Sequence, residues 1–269
     1  MAPRMAYVLV DKPRPHVARI TMNRPERMNA LSPEMFARMY DAWQEASRDD
    51  GVRCIILTGA AGNFCSGMDL KALSGKDGDP QDEYAKRMAQ ERDLPFKALL
   101  RSYRPTKPII AAVEGNAIAG GTEILQGTDV RVAGESAKFG VSEVRWGLYP
   151  MAGSAVRLRR QVPYTVAAEI LLTGKHISAR EALAIGLVGH VVPDGQALVR
   201  AREIAAQIAE NGPLAVEAVL RTLHATDGMT EAEALAFDMQ VGLPIFATKD
   251  AKEGPRAFAE KRKPNFTRS

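Results

Sequence analysis

Two glutamates twenty residues apart, Glu123 and Glu143, stand near two glycine-bearing turns, Ser66-Gly67-Met68 and Ala119-Gly120-Gly121. These are the residues whose types and spacing fit chemistry. Two carboxylates that share a water can act as general base and general acid, and their repulsion raises one pKa towards neutrality. Glycines that open a helix leave bare N–H groups at the positive end of a dipole, where an anionic oxygen can come close. Two backbone N–H groups from separate loops are what an enzyme needs to hold a developing oxyanion, and one such donor is worth about 2.7–4 kcal/mol of barrier. Each feature alone also has an ordinary explanation. Gly120-Gly121 fits a tight strand-to-helix turn, Glu123 a first-turn carboxylate satisfying the dipole, and Glu143 a solvated loop charge or an N-cap partner. Glu123 would spoil a simple anion site, which points to a chemical role for it. The glutamates flank one β-unit, so both can reach a cleft at the carboxyl end of a strand.

The elements that must position these residues read as follows. Pro108 to Val113 is a buried strand, Glu114-Gly115-Asn116 a turn, and Gly120-Gly121 the start of a helix. A strand at Asp129 to Val132 comes next, and the segment ends in Phe139-Gly140-Val141-Ser142-Glu143. Upstream, Val17 to Met22 alternates as a strand does, and Ser32 with Pro33 and Glu34 starts a helix carrying Met35, Phe36, Met39, Trp43 and Ala46. Val52 to Leu57 is another buried strand, so the opening is strand–helix–strand and the class is α/β. Ser74 to Gln81 is polar and predicts a mobile surface segment; a helix over Asp82 to Arg101 carries Pro95 as a kink or break. Helical segments are expected at 166–172, 179–185, 196–209, 214–224 and 231–246.

Bulk properties exclude several function classes. At 46% hydrophobic and 25% charged, the 269 residues support a sizeable core. A net charge of +4 suits an anionic small molecule and, with no basic–aromatic cluster, argues against nucleic acid. Cys54 and Cys65 look unpaired, as in a reducing compartment. No signal peptide or membrane span is readable, so a cytoplasmic protein is expected. Phosphate-binding loops, a dinucleotide fingerprint and a nucleophile elbow are absent, and His16, His176, His190 and His224 lack ligand spacing, so no metal is expected.

Along nearly its whole length the chain resembles the enoyl-CoA hydratase/isomerase (crotonase) superfamily, in particular its two-glutamate hydratases. The resemblance rests on Asn23-Arg24-Pro25 with Asn29-Ala30-Leu31, Phe64 to Leu70, Lys107-Pro108, Ala119 to Glu123, Asp129, Phe139-Gly140, Glu143, Leu171 to Gly174, Ala182 with Gly186 to Val188, and Phe258 to Pro264. It implies a spiral of ββα units with a C-terminal α-helical trimerisation region. Residues 1–200 would form the core with the CoA and catalytic site, and residues 201–269 would serve oligomerisation and active-site closure. A homotrimer or a hexamer built as a dimer of trimers is the implied assembly. By the same resemblance Met68 and Gly120 supply the oxyanion-hole N–H groups, and Glu123 and Glu143 fall on the acid/base positions. Ser66, Asp69, Leu70 and Lys71 would lie in the CoA-binding loop, while Arg24, Arg27 and Lys261 would face the CoA phosphates. Coenzyme A is then part of the substrate, and no separate cofactor is needed.

The implied reaction is reversible addition of water to a 2-enoyl-CoA. Enoyl-CoA isomerisation and non-catalytic acyl-CoA binding are the alternatives. One run departs from the hydratase pattern, because Pro150-Met151-Ala152-Gly153-Ser154-Ala155 replaces Pro-Gly-Ala-Gly-Gly-Thr. With Trp146 nearby, Met151 is expected to wall the acyl pocket and disfavour short chains. Arg145, close behind Glu143, is expected to pair with it and depress its pKa.

Overall fold

The computed structural model describes residues 6–73 and 82–269; the expected surface segment 74–81 lies outside them. The described residues form nine strands, β1 (Val8–Arg14), β2 (Val17–Met22), β3 (Cys54–Gly59), β4 (Ile109–Val113), β5 (Asn116–Ile118), β6 (Val130–Gly134), β7 (Lys138–Gly140), β8 (His176–Ser178) and β9 (His190–Val192). The first helices are α1 (Pro33–Arg48), α2 (Leu70–Leu73), α3 (Glu83–Gln90), α4 (Leu94–Ala98), α5 (Gly120–Leu125) and α6 (Ser154–Gln161). They are followed by α7 (Tyr164–Thr173), α8 (Ala179–Ala184), α9 (Ala197–Glu210), α10 (Pro213–Ala225), α11 (Glu231–Gly242) and α12 (Lys249–Ala259).

The main sheet runs β1-β2-β3-β4-β6-β9, antiparallel only between β1 and β2. A smaller sheet runs β5-β7-β8. Successive turns of chain place β4 then β5, and β6 then β7, in the two sheets; Cys65 bridges to Ala117 as the counterpart after β3. This is the ββα spiral of a crotonase-type fold, and a helical C-terminal region follows it.

Both faces of the main sheet are covered, which is why its strands are apolar throughout. Ile55 and Leu57 face one core with Trp43, Phe36 and Phe64. Cys54 and Ile56 face the other, against Ala197, Ala201, Ala205 and Ala209 of α9. Those alanines recur every four residues, one helix face, and let the helix lie close to the strands. α9 runs through residue 200, tying the helical part to the sheet.

Three local readings change in the structure. The expected helix over 82–101 is two helices, α3 and α4, with Pro95 in the first turn of the second, where its missing N–H costs nothing. The strand β1 was hidden by Asp11, Lys12 and Pro13; it is an edge strand, where polar residues and proline are tolerated. The helix α12 lies beyond the expected segments, and Pro255 sits inside it. Thr248 caps that helix, and Asp250 within it accepts the N–H groups of Thr267 and Arg268.

The Lys107 side chain is fully buried at the entrance to β4, and its ammonium lies 2.7 Å from Glu217 of α10. Arg268 reaches the same carboxylate from the tail. Desolvation works against the carboxylate charge, but the two cations hold the Glu217 carboxyl below its ordinary value. Removing one partner of such a pair strands a buried charge. Glu217→Ala is therefore expected to lower unfolding free energy by about 3–5 kcal/mol in a urea titration.

Candidate active site

The site assembles where the two sheets and α4 meet. Ser32 caps α1 through the Met35 N–H, and the buried Trp43 of that helix donates from Nε1 to Ala98 O at 2.9 Å. That bond holds α4, so Phe96 and Leu99 form one wall of a cavity of about 350 Å³. Leu31, Phe36 and Ile118 add apolar surface, and Leu148, Tyr149, Met151 and Trp146 form the opposite wall. Met68, Gly120, Glu123 and Glu143 all line this one cavity.

Two loops converge at the cavity floor. A Cβ placed on Gly67, whose φ is +89°, would lie 2.7 Å from Ala119 Cβ and 3.4 Å from Gly120 N. Only glycine permits that approach. Leu31 and Met68 form a bridge in which Leu31 N–H donates to Gly67 O and Asp69 N–H to Leu31 O. The Met68 N–H falls between these bonds, and neither it nor the Gly120 N–H has an acceptor among the described residues. Gly121 has a different job: a Cβ there would meet Cys65 O at 2.3 Å, so its bareness lets α5 pack against the neighbouring strand segment. Thr122 fastens α5 on both sides, its hydroxyl donating to Ala117 O and accepting the Gly140 N–H.

The two carboxylates sit in unlike surroundings. Glu123 is 4% exposed, on the first turn of α5. Its Oε1 accepts the Ser154 N–H at 3.1 Å, from the N-terminus of α6. Burial raises its pKa, and the backbone N–H groups of Ser154, Ala152 and Gly153 oppose that rise. Glu143 begins a 3₁₀ turn, Glu143–Trp146, and its Oε2 is buried with no hydrogen-bond partner among the described residues. Burial, followed by the nearby Glu123 charge, pushes its pKa up to about 7. The pair therefore favours one proton near neutrality, held on Glu143, while Glu123 is the better-supported anion.

The expected Arg145–Glu143 pairing does not form. At three residues per turn, Glu143 and Trp146 face the same way while Arg145 points elsewhere. Its side chain packs over Gly174, whose added Cβ would meet Arg145 Cγ at 2.8 Å. The Glu143 carboxyl is accordingly raised, not lowered.

An apolar cavity with two idle N–H groups and two carboxylates suits a neutral carbonyl that becomes an oxyanion. Comparison with known proteins agrees with that chemistry. Residues 14–269 match the family model described as enoyl-CoA hydratase/isomerase. The chain belongs to that family. It is 59% identical to the enoyl-CoA hydratase EchA19 of Mycobacterium tuberculosis, over 96% of this chain and 95% of that protein. It is 36% identical to the (E)-benzylidenesuccinyl-CoA hydratase of Thauera aromatica, over 93% and 95%. Among solved structures, an enoyl-CoA hydratase from Bacillus anthracis superposes with a TM-score of 0.89 at 34% identity, covering 98% of this chain and 100% of that one. One from Mycobacterium tuberculosis superposes at 0.86 with 37% identity, covering 98% and 100%.

The cavity draws on residues far apart in sequence. Ser66, Leu70, Trp146 and Met151 join the four residues named above along the cavity. Arg24, Arg27, Asp69, Lys71 and Lys261 do not line it. Arg24 bonds Asp69 at 2.8 Å and lies 5.1 Å from the Tyr7 ring centre, clamping the loop before α2. Lys261 follows α12, with φ of 52°. Sequence reasoning missed the support for Glu123 from Ser154, although Gly153 before an apolar–basic helical run is a readable helix start. It also missed Phe36, Phe96 and Leu99 as walls. No His/Cys/Asp/Glu group able to hold a metal ion is found among the described residues.

The raised Glu143 pKa has a stability consequence. The folded chain binds this proton more tightly than the unfolded chain, so the stabilisation is complete below about 4.5 and is lost as pH rises through about 7. Glu143→Gln cannot ionise. Its melting temperature relative to the parent is expected to be higher at pH 8 than at pH 5, read by thermal unfolding at both values.

Proposed function

We infer that the protein is an enoyl-CoA hydratase, adding water reversibly to a 2-enoyl-CoA thioester without a separate cofactor. The observation that carries this reading is the shared cavity, in which Glu123 accepts the Ser154 N–H and Glu143 favours its proton beside two free N–H groups. Isomerisation can proceed with one carboxylate; two in one cavity favour hydration.

The thioester oxygen lies between the Met68 and Gly120 N–H groups. As the water oxygen bonds to the β-carbon, Glu123 takes the water's proton. The alkene electron pair moves towards the carbonyl, and the negative charge on its oxygen is held by the two N–H groups. The α-carbon then takes the Glu143 proton, and the carbonyl re-forms. Dehydration runs the same steps backwards, with Glu143 as base. Ser66 and Leu70 border the adenine end, and Arg24 shapes that loop through Asp69. Arg27, Lys71 and Lys261 supply positive charge for the CoA phosphates. Trp146 and Met151 wall the acyl end and disfavour short chains such as crotonyl.

Residues 201–269 serve oligomerisation and active-site closure in a homotrimer or a dimer of trimers. Exposed Leu223 on α10, Leu235 and Met239 on α11, Leu243 and Phe246 in the 3₁₀ turn that follows, and Phe258 on α12 support that reading. No helix among the described residues is long and apolar enough to cross a membrane, in keeping with work in the cytoplasm.

Loss of enoyl-thioester absorbance over a series of acyl lengths tests the activity. Hydration is expected with longer acyl groups in preference to crotonyl, and folded protein that hydrates none of them contradicts the reading. Glu123→Gln and Glu143→Gln should each lower kcat by about 10²–10⁴-fold. Hydration and dehydration kcat/KM should both fall as pH rises through about 7, where the glutamate pair loses its one proton, because a reaction with no net proton uptake keeps their ratio independent of pH.

A further inference from the structure

Glu143 follows Ser142, and Ser142 has a partner the reaction does not explain. Its hydroxyl lies 2.9 Å from His176 Nε2 on β8. Ser142 stands at the N-cap position of the Glu143 turn, yet its hydroxyl does not cap that turn. The bond to His176 takes its place.

The His176 ring is seated on Gly140, its partner across the β7–β8 ladder. A Cβ on Gly140 would come within 2.4 Å of His176 Cδ2, so any side chain there would displace the ring. The same Gly140 holds the oxyanion loop, its carbonyl accepting the Ala119 N–H at 2.7 Å and its N–H donating to Thr122 at 3.0 Å. One residue therefore touches both halves of the site. Through its backbone it fixes the Gly120 turn, and through the His176–Ser142 bond it fixes the start of the Glu143 turn. Arg145 packed over Gly174 fastens the far side of that turn to the same β8 connection.

We propose that His176 and Ser142 are positioning residues, a latch seated on Gly140 that holds Glu143 at a set distance from the oxyanion hole. Ser142 borders the cavity beside Glu143, and His176 does not line it. This rests on the hydratase reading for its kinetic consequence, but the position of the Glu143 carboxyl can be read without turnover.

Ionisable and charged groups around the imidazole are Arg145 and Lys138, which with burial keep its pKa below the ordinary value. The ring is thus neutral at working pH, able to accept the Ser142 proton or to donate from Nε2 according to tautomer. The latch does not depend on a charge at His176. It depends on a hydrogen bond that the amide of glutamine can also make.

The test uses the full chain with His176→Ala, His176→Gln and Ser142→Ala, the last removing the bond with the least change in packing. Two quantities are read: kcat and KM for hydration, and the Glu143 carboxyl titration by difference infrared, with Glu143→Gln as the blank. Loss of the bond should lower kcat by about tenfold with little change in KM, in keeping with one hydrogen bond's energy. It should also let water reach Glu143, so that its titration moves from about 7 towards 4.5. His176→Gln should restore both. The proposal is overturned if His176→Ala and Ser142→Ala, folded, keep both the parent kcat and the parent titration. It is also overturned if glutamine is no better than alanine. Parent protein that titrates near 7 but hydrates nothing would overturn the functional reading, and the shift in titration would still decide the latch.

Discussion

The site depends on how closely two pieces of backbone meet. Gly67 comes so near Ala119 and the Gly120 N–H that no side chain fits between them. This approach brings Met68 and Gly120 to one cavity and leaves their N–H groups without internal acceptors. Ala119 takes φ 51° and ψ −121° to make the turn, a strained conformation for a residue with a Cβ, costing of order 1–3 kcal/mol. Hydrogen bonds from its own N–H to Gly140 and from Glu123 N–H to its carbonyl hold it there. The spiral topology supplies those partners, because β5 and β7 are neighbours in the small sheet.

Electrostatic division of labour follows from the same frame. Glu123 is buried and Glu143 half-buried, and burial raises the pKa of each. Only Glu123 faces the N-terminus of α6, where N–H groups stabilise the anion. Glu143 has a buried oxygen with no such donor and feels the charge of Glu123. Unequal solvation, more than repulsion, therefore distinguishes the two carboxylates.

The sequence showed much of this and hid a definable part. The strands at 17–22 and 109–113, and the capped helix at Ser32, were legible because alternation, caps and prolines act locally. The two glycine turns and both glutamates were legible as an ordered set of short matches. One wall of the cavity was not, since Phe36, Phe96 and Leu99 meet only through the packing of α1 on α4. Proximity in sequence also misled at Arg145, because a 3₁₀ turn sends neighbouring side chains to different sides.

The central claim is that the Met68 and Gly120 N–H groups polarise a thioester carbonyl lying between two unequal glutamates. Difference Raman spectroscopy of a bound, unreactive acyl-CoA thioester reads that polarisation directly. The account predicts that the carbonyl stretch moves to lower frequency than in solution, because both N–H groups donate to the oxygen. A bound thioester whose carbonyl frequency matches that of the free compound would contradict it.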